Sequence, residues 1–226
     1  KYNATEDDLA LVALKNHENA FDNPKARFYQ KKVTMDMIKN SPMVSSPLRL
    51  FDCSISVNGA AAAIISQDKT DIEIVGTGMN TSNLSAIERG DMTTMKASVT
   101  AAKQAYQEAG ISQKDISIAE IHDAFTPLEL ISYEDLGFAK KGHGKDMIRK
   151  GATKLNGKLP VNTSGGLKAK GHPISATGVS QIYEITQQMR KQAGKRQIGK
   201  TRVGLAHNVG GAGSTATVHI FKNLGG

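Results

Sequence analysis

Apolar residues recur at helical spacing near the start of the chain, where Leu9, Val12, Ala13 and Ala20, with Asn16 in step among them, trail Thr5 and Asp8. The separation of Thr5 from Asp8 matches a capping box, so the pattern predicts a helix, and Asn23-Pro24 ends it because the residue before a proline avoids the helical region. A second short helix is expected over Thr34 to Lys39, followed by extended turns at Ser41-Pro42 and Ser46-Pro47. Leu50-Phe51-Asp52-Cys53 leads to Gly59-Ala-Ala-Ala-Ala-Ile-Ile65, which reads as a tight turn and a buried strand of small residues.

Beyond residues 67–70 the period changes. Ile72 to Thr77 alternates as a strand, Lys96 to Ala109 is an alanine-rich helix closed by Gly110, and Ser112 with Asp115 caps a further turn. Ile116 to Ile121 reads as a strand that ends in His122-Asp123, and Pro127 to Leu136 as a helix closed by Gly137. Val203 to Ala206 and Thr215 to Phe221 are two strands joined by the glycine turn Asn208 to Gly213, the signature of an antiparallel hairpin. Strands alternating with helices over residues 70–226 indicate an α/β layer structure, and residues 1–69 form a separate preceding segment.

The chemistry concentrates in Asn162-Thr-Ser-Gly-Gly-Leu-Lys-Ala-Lys-Gly-His-Pro-Ile-Ser-Ala-Thr-Gly178. Glycines at 165, 166 and 171 allow positive φ and close backbone approach. Pro173 suits the first position of a helix that continues through Gln181 to Arg190, and this sets His172 just before a helix N-terminus. The positive end of the helix dipole there favours a neutral imidazole able to take or share a proton.

Two more histidines fall at strand ends, where α/β sheets place their ligands: His122 after Ile116 to Ile121, and His207 after Val203 to Ala206. For each, the alternative is a hydrogen-bonded structural histidine. His17, His143 and His219 are assigned to a helix surface, a basic loop and the final strand. A three-histidine zinc site is set aside because Asp123 is the only carboxylate adjacent to any of the three. No Gly-x-Ser-x-Gly elbow occurs, which argues against a serine hydrolase.

Bulk composition adds limits. The 226 residues can bury a full core. The single cysteine, Cys53, forms no internal disulfide and fits a reducing compartment. Neither a long apolar run nor a secretory leader is visible, so a cytoplasmic location without membrane attachment is expected. The net charge of +8 and the basic segment Lys140, Lys141, Lys145, Arg149, Lys150 and Lys154 invite a nucleic-acid reading. With 5% aromatic residues and no tryptophan there are no stacking platforms beside that cluster, and a polyanionic cofactor such as coenzyme A would use the same charge.

These residues together resemble the thiolase family over essentially the whole chain. Asn162 to Gly178 is similar to its Gly-His-Pro loop, Ile121-His-Asp-Ala-Phe-Thr126 to its acid-plus-Ala-Phe motif, and His207 to Gly213 to its carboxy-terminal glycine turn. The His-Asp-Ala-Phe form and the His-Asn-Val-Gly-Gly turn are most similar to archaeal acetyl-CoA acetyltransferases and sterol-carrier-protein type thiolases. The resemblance implies a layered αβαβα fold of two similar halves, with this chain supplying the second half plus the end of the first, residues 50–65 being the strand that closes the first half.

It also implies an acyltransferase acting between CoA thioesters, with acyl-CoA as substrate, no permanently bound cofactor, a homodimer, and, for archaeal types, hydroxymethylglutaryl-CoA synthase and an OB-fold bridging protein as partners. By resemblance, His172 helps deprotonate a nucleophilic cysteine from the first half and donates to one oxyanion. His122 holds the water or carbonyl of the same oxyanion hole, Gly210 offers a backbone N–H to a second, and Cys53, Ser54, Ala124 and Phe125 line the pantetheine path.

The chain departs from the family pattern in three places. Cys53 maps to the closing strand rather than to the nucleophile, so the chain by itself is expected not to turn over. Ala124 and His207-Asn208 stand where relatives carry an acid/base cysteine, which passes the proton transfer to His207 or His122. Ser175 replaces a usual glycine. Two other readings remain: a thiolase-like aldolase using a tyrosine, with Tyr133 nearest a motif, and a non-catalytic acyl-CoA-binding scaffold.

Overall fold

A computed structural model describes residues 1–85 and 87–225. The amino-terminal segment folds as helix α1 (Glu6–Phe21), helix α2 (Met35–Lys39) and a small hairpin of β1 (Met43–Ser45) and β2 (Leu48–Arg49). The larger unit follows as β3 (Ile72–Thr81), α3 (Lys96–Ala109), β4 (Ile118–Glu120), α4 (Thr126–Asp135), α5 (Gly144–Arg149), α6 (Thr177–Met189), β5 (Val203–Gly210) and β6 (Thr215–Asn223). Its sheet runs β3-β6-β5-β4, parallel between β4 and β5 and antiparallel elsewhere.

The local signals act as expected. Asp8 accepts the Thr5 N–H at 2.8 Å to close the capping box of α1. Gly110, at φ 62°, ends α3 in the left-handed conformation. Helix α3 lies so close on β3 that a Cβ at Gly76 or Gly78 would strike the carbonyl oxygens of Ala105 or Ala101. On that face Leu205, Val218 and Ile220 form the main core with Ala101 and Ala105. Helix α6 covers the other face over β5, packing Ile185 and Met189 on Ala206 and Phe221. The two faces of β5 therefore meet different surroundings, and this alternation decides which of its residues reach the functional cleft.

Three expectations are corrected. Gly59 to Ile65 is neither buried nor a strand: it is irregular, with Ile64 99% and Ile65 77% exposed. A strand needs a neighbour, and among the described residues no sheet edge adjoins it. The strand expected over Ile116 to Ile121 is paired with β5 only from Ile118 to Glu120, and on its other edge the Ile121 N–H donates to the Asn162 side chain at 2.8 Å. His17 lies in the interior rather than on a helix surface, edge-on to Phe28 and Phe51 at 4.3 and 5.2 Å between ring centroids.

Helix α1 explains that last difference. Its inward face carries Lys15, Asn16 and Asn19 as well as Leu9, Val12 and Ala13, all buried. Lys15, Asn19 and Asn23 follow one another at the four-residue spacing of a helix face and donate to the carbonyls of Val161, Asn162 and Ser164 at 2.9, 3.0 and 2.8 Å. A helix that looks half polar is thus buried on both its apolar and its polar residues. Outside it, part of the basic segment is turned to internal carboxylates: Lys141 to Glu134 and Asp135, Arg149 to Asp8, and Lys154 to Glu18. No helix of the described residues is long and apolar enough to cross a membrane.

The Lys15–Glu129 pair, 2.5 Å apart and fully buried, contrasts with Lys154–Glu18, 3.4 Å apart and half exposed. Replacing Lys15 by Met strands a buried carboxylate and is expected to cost about 3–5 kcal/mol. Lys154→Met is expected to cost less than about 1 kcal/mol. Urea denaturation of the two variants measures both, and equal losses would contradict this view of the interior.

Candidate functional site

His122 leaves the end of β4 in a loop, His122 to Phe125, that an extended stretch of the amino-terminal segment clamps from one side. Cys53 bridges to Phe125, the Ser54 N–H donates to the Ala124 carbonyl at 2.8 Å, and the His172 N–H donates to the Ile55 carbonyl at 2.8 Å. Residues 53–56 therefore lie as a short bridge between the His122 loop and the glycine-rich loop. Lys168, itself buried, ties the start of this bridge by donating to the Asp52 carbonyl at 2.6 Å.

The glycine-rich loop is built around a carboxylate. Asp123 is fully buried and accepts from the N–H groups of Leu167 and Lys168 at 2.7 and 3.4 Å, within a single widened helical turn over Gly166–Lys170. A Cβ at Gly166, whose φ is 62°, would collide with that carboxylate, so the close approach requires glycine there. Glu120 anchors the loop earlier, accepting the Ser164 N–H and hydroxyl at 3.0 and 2.6 Å.

The result is that His122 and His172 meet edge to face, with ring centroids 5.4 Å apart and planes perpendicular. Burial, with His172 adding repulsion, pushes His122 down to about 4, and partial burial lowers His172. Both are neutral at pH 7. The reason for His172 differs from the one read in the sequence: Pro173 stands four residues before α6 rather than at its first position, so burial rather than the helix end keeps the ring neutral. The Thr177 hydroxyl donates to the Pro173 carbonyl at 3.1 Å, which leaves its oxygen to accept from His172 Nδ1–H at 2.7 Å. The other ring nitrogen, Nε2, then keeps its lone pair for a proton.

Both rings open on a cleft of about 550 Å³ between α6 and the sheet. Asn208, Gly210, Thr217 and His219 form its floor, and Ile174, Ser175 and Thr177 its rim. Ser175 has φ 78°, a conformation that suits glycine and accounts for the usual residue at that position.

The structure brings His122, His172 and Gly210 to one cleft and sets Cys53, Ser54, Ala124 and Phe125 together beside it. His207 lies elsewhere. Its ring points from the opposite face of β5, has no exposed surface, and pairs Nε2 with the Ser98 hydroxyl at 2.9 Å. Burial pushes it down to about 3. Tyr133 is enclosed as well: its hydroxyl donates to Glu129 and burial holds its pKa well above the usual 10, so no cleft group is available from it. The Cys53 thiol faces the Arg49 carbonyl at 3.6 Å, and burial raises its pKa. No metal-ligand group of three His, Cys, Asp or Glu occurs among the described residues.

Sequence reasoning missed His219 and Asn208 as cleft residues. The signal was present in the period of β6: His219 pairs with Ala206 and Thr217 with Asn208, on the face that α6 leaves open. It also missed the anchoring role of Asn16 and Glu129, which no local pattern reveals.

A mixed sheet with helices on both faces, two neutral histidines on converging loops and a glycine turn at the same cleft define the carboxy-terminal domain of a thiolase. The match to the family described as thiolase C-terminal domain-like covers residues 76–223, and the chain belongs to that family. It is 42% identical to an acetyl-CoA acetyltransferase of Methanothermobacter thermautotrophicus over 98% of this chain and 60% of the relative. It is 34% identical to bovine sterol carrier protein 2 over 98% of this chain and 43% of the relative. Among solved structures, the Ltp2-ChsH2(DUF35) aldolase matches with a TM-score of 0.85 and 27% identity over 98% of this chain and 59% of that one. Human mitochondrial 3-ketoacyl-CoA thiolase shares the fold, with a TM-score of 0.65 at 16% identity over 97% and 56% of the two chains. The chain thus spans about 60% of the length of the archaeal relative.

His207 allows a clean test of the electrostatics. Its folded value of about 3 lies below the ordinary 6.5, so the stability it contributes is complete above pH 6.5 and is lost as the pH falls toward 3. The stability gap between wild type and His207→Gln should be constant above pH 6.5 and narrow below it by up to about 1.4 kcal/mol per pH unit. Denaturant titrations at a series of pH values measure this, and a gap independent of pH would contradict a neutral buried ring.

Proposed function

We propose that this chain is the carboxy-terminal part of an acetyl-CoA acetyltransferase, which condenses two acetyl-CoA molecules or cleaves acetoacetyl-CoA with CoA. The observation that carries the reading is the perpendicular pair of neutral imidazoles, His122 and His172, on the two loops that the family uses for thioester chemistry.

In the cleavage direction a cysteine thiol loses its proton to His172 Nε2, and the thiolate adds to the keto carbonyl of acetoacetyl-CoA. The carbon–carbon bond breaks, leaving an acetyl thioester on the enzyme and an acetyl-CoA carbanion, which takes a proton to leave as acetyl-CoA. The thiolate of free CoA then displaces the enzyme-bound acetyl group. His122, and His172 once its Nε2 carries the cysteine proton, donate to the carbonyl oxygen of one thioester, and the Gly210 N–H serves the oxyanion that forms in the other step. Cys53, Ser54, Ala124 and Phe125 flank the pantetheine arm.

In this reading the nucleophilic thiol belongs to the part of the relatives that lies outside this chain, because the Cys53 thiol is turned to a backbone carbonyl and raised in pKa. Residues 1–69 are then the end of the first half of the fold. The isolated chain does not turn over. His207 stays out of the reaction, so the proton for the carbanion comes from His122, His172 or the incoming thiol.

A second reading is favoured by two observations: no cysteine sulfur lies at position 124, and the solved aldolase is similar over nearly the whole chain. A retro-aldol cleavage of a β-hydroxyacyl-CoA needs only a base for the hydroxyl proton and donors for the resulting enolate, both of which two imidazoles supply. It needs no free CoA, and Tyr133 takes no part in it.

A protein with the full length of the relatives separates the two. Thiolysis of acetoacetyl-CoA that depends on free CoA supports the transferase, and CoA-independent cleavage of a β-hydroxyacyl-CoA with no thiolysis replaces it with the aldolase. In the transferase, His172→Ala is expected to lower kcat/KM by about 10²–10⁴. The acid limb of the wild-type pH profile is expected below pH 6.5, since activity requires His172 unprotonated and its value is lowered. A His172→Ala variant with undiminished thiolysis would contradict this role.

A further inference from the structure

Asn16 lies on α1, an element that contributes nothing to the lining of the cleft. Its side chain is nevertheless at the centre of the interior that holds both histidine loops. It is completely buried and spends both hydrogens of its amide on carboxylates: Nδ2 donates to Asp123 at 2.8 Å and to Glu129 at 2.7 Å. Those two acids repel one another in a dry environment, and the amide is the group between them.

Each acid in turn fixes a loop. Asp123 is the immediate neighbour of His122 and accepts from the N–H groups of Leu167 and Lys168, in the turn that runs into Gly171-His172. Glu129 accepts from the Asn162 side-chain amide at 2.9 Å, and Asn162 takes the Ile121 N–H, the residue preceding His122. A displacement of Asp123 therefore moves the His122 loop and the His172 turn together, and Asn16 shares in holding Asp123 with the Leu167 and Lys168 N–H groups and the nearby charges of Lys15 and Lys168.

We propose that Asn16 is a positioning residue of the site: by bridging Asp123 and Glu129 it sets the edge-to-face contact of His122 with His172 and the burial of the His172 ring. The proposal takes these two histidines as the working pair of the site, but its test does not depend on which reaction they perform.

The test is the titration of the histidine rings in the intact chain, followed by proton–nitrogen correlation spectra of the imidazoles. In Asn16→Leu, which removes both hydrogen bonds at similar volume, the His172 midpoint should rise toward the ordinary imidazole value as the ring gains solvent. The His172 Nδ1–H signature should weaken as its contact with Thr177 loosens. Asn16→Ser, which keeps one donor, should fall between the two.

A folded Asn16→Leu chain whose His172 midpoint and tautomer match wild type overturns the proposal. So does a chain in which both variants unfold, since the residue would then be structural alone. Absence of thiolysis in the longer wild-type protein would defeat the proposed reaction and leave the imidazole titration, and with it this inference, standing.

Discussion

The cleft depends on a set of buried polar contacts between α1 and the loops beyond β4. Lys15, Asn19 and Asn23 hold three carbonyls of the segment that precedes the turn Gly166–Lys170, and Asn16 bridges the two acids that fix that turn and the His122 loop. Apolar packing alone would leave these loops several ways to lie, because they contain few large side chains and many glycines. Directional hydrogen bonds in a low-dielectric interior remove that freedom, and each group that lost its partner there would be costly. The amino-terminal segment is for this reason part of the site although it adds little to the cleft wall.

The same interior sets the charge state of the site. Burial drives histidines and carboxylates in opposite directions: His122 goes down to about 4 and His207 to about 3, while Asp123 is pushed up to about 7 by burial and by Glu129. Neutral imidazoles and a carboxyl group poised near neutrality sit side by side. For an oxyanion this is a suitable setting, since donors that are fixed and dry stabilise developing charge without having to reorganise. It also separates two histidines that look alike in sequence. His122 lies just beyond β4 and faces the cleft, whereas His207 lies inside β5, on the face packed under α3, and meets Ser98.

Much of the fold was legible in the sequence. The capping box at Thr5, the Gly110 cap and the final hairpin were each specified by local chemistry that the structure reproduces. Family motifs identified the two loops that carry His122 and His172. What could not be read was burial of polar residues: periodicity reports a polar stripe but not whether water or a carbonyl satisfies it, so His17 and Asn19 gave no sign of being internal, and Asn16, in step with the apolar series, gave none of its carboxylate partners. Nor could local pattern show that Gly59 to Ile65 lacks a neighbour, since a strand is defined by its partner. His207 was misread for a related reason: the strand expected to end at Ala206 runs on to Gly210, so His207 sits within β5 and points to its packed face.

The central claim is that the His122–His172 pair receives a thioester. A structure of the protein at the full length of its relatives, with acetyl-CoA bound, tests it directly. The account predicts the thioester carbonyl oxygen within about 2.7–3.1 Å of a ring nitrogen of His122 or His172, and the pantetheine arm against Ser54 and Phe125. A thioester held at another place, such as the separate cavity between Lys25, Lys170 and Tyr183, with the two imidazoles left without ligand, would contradict it.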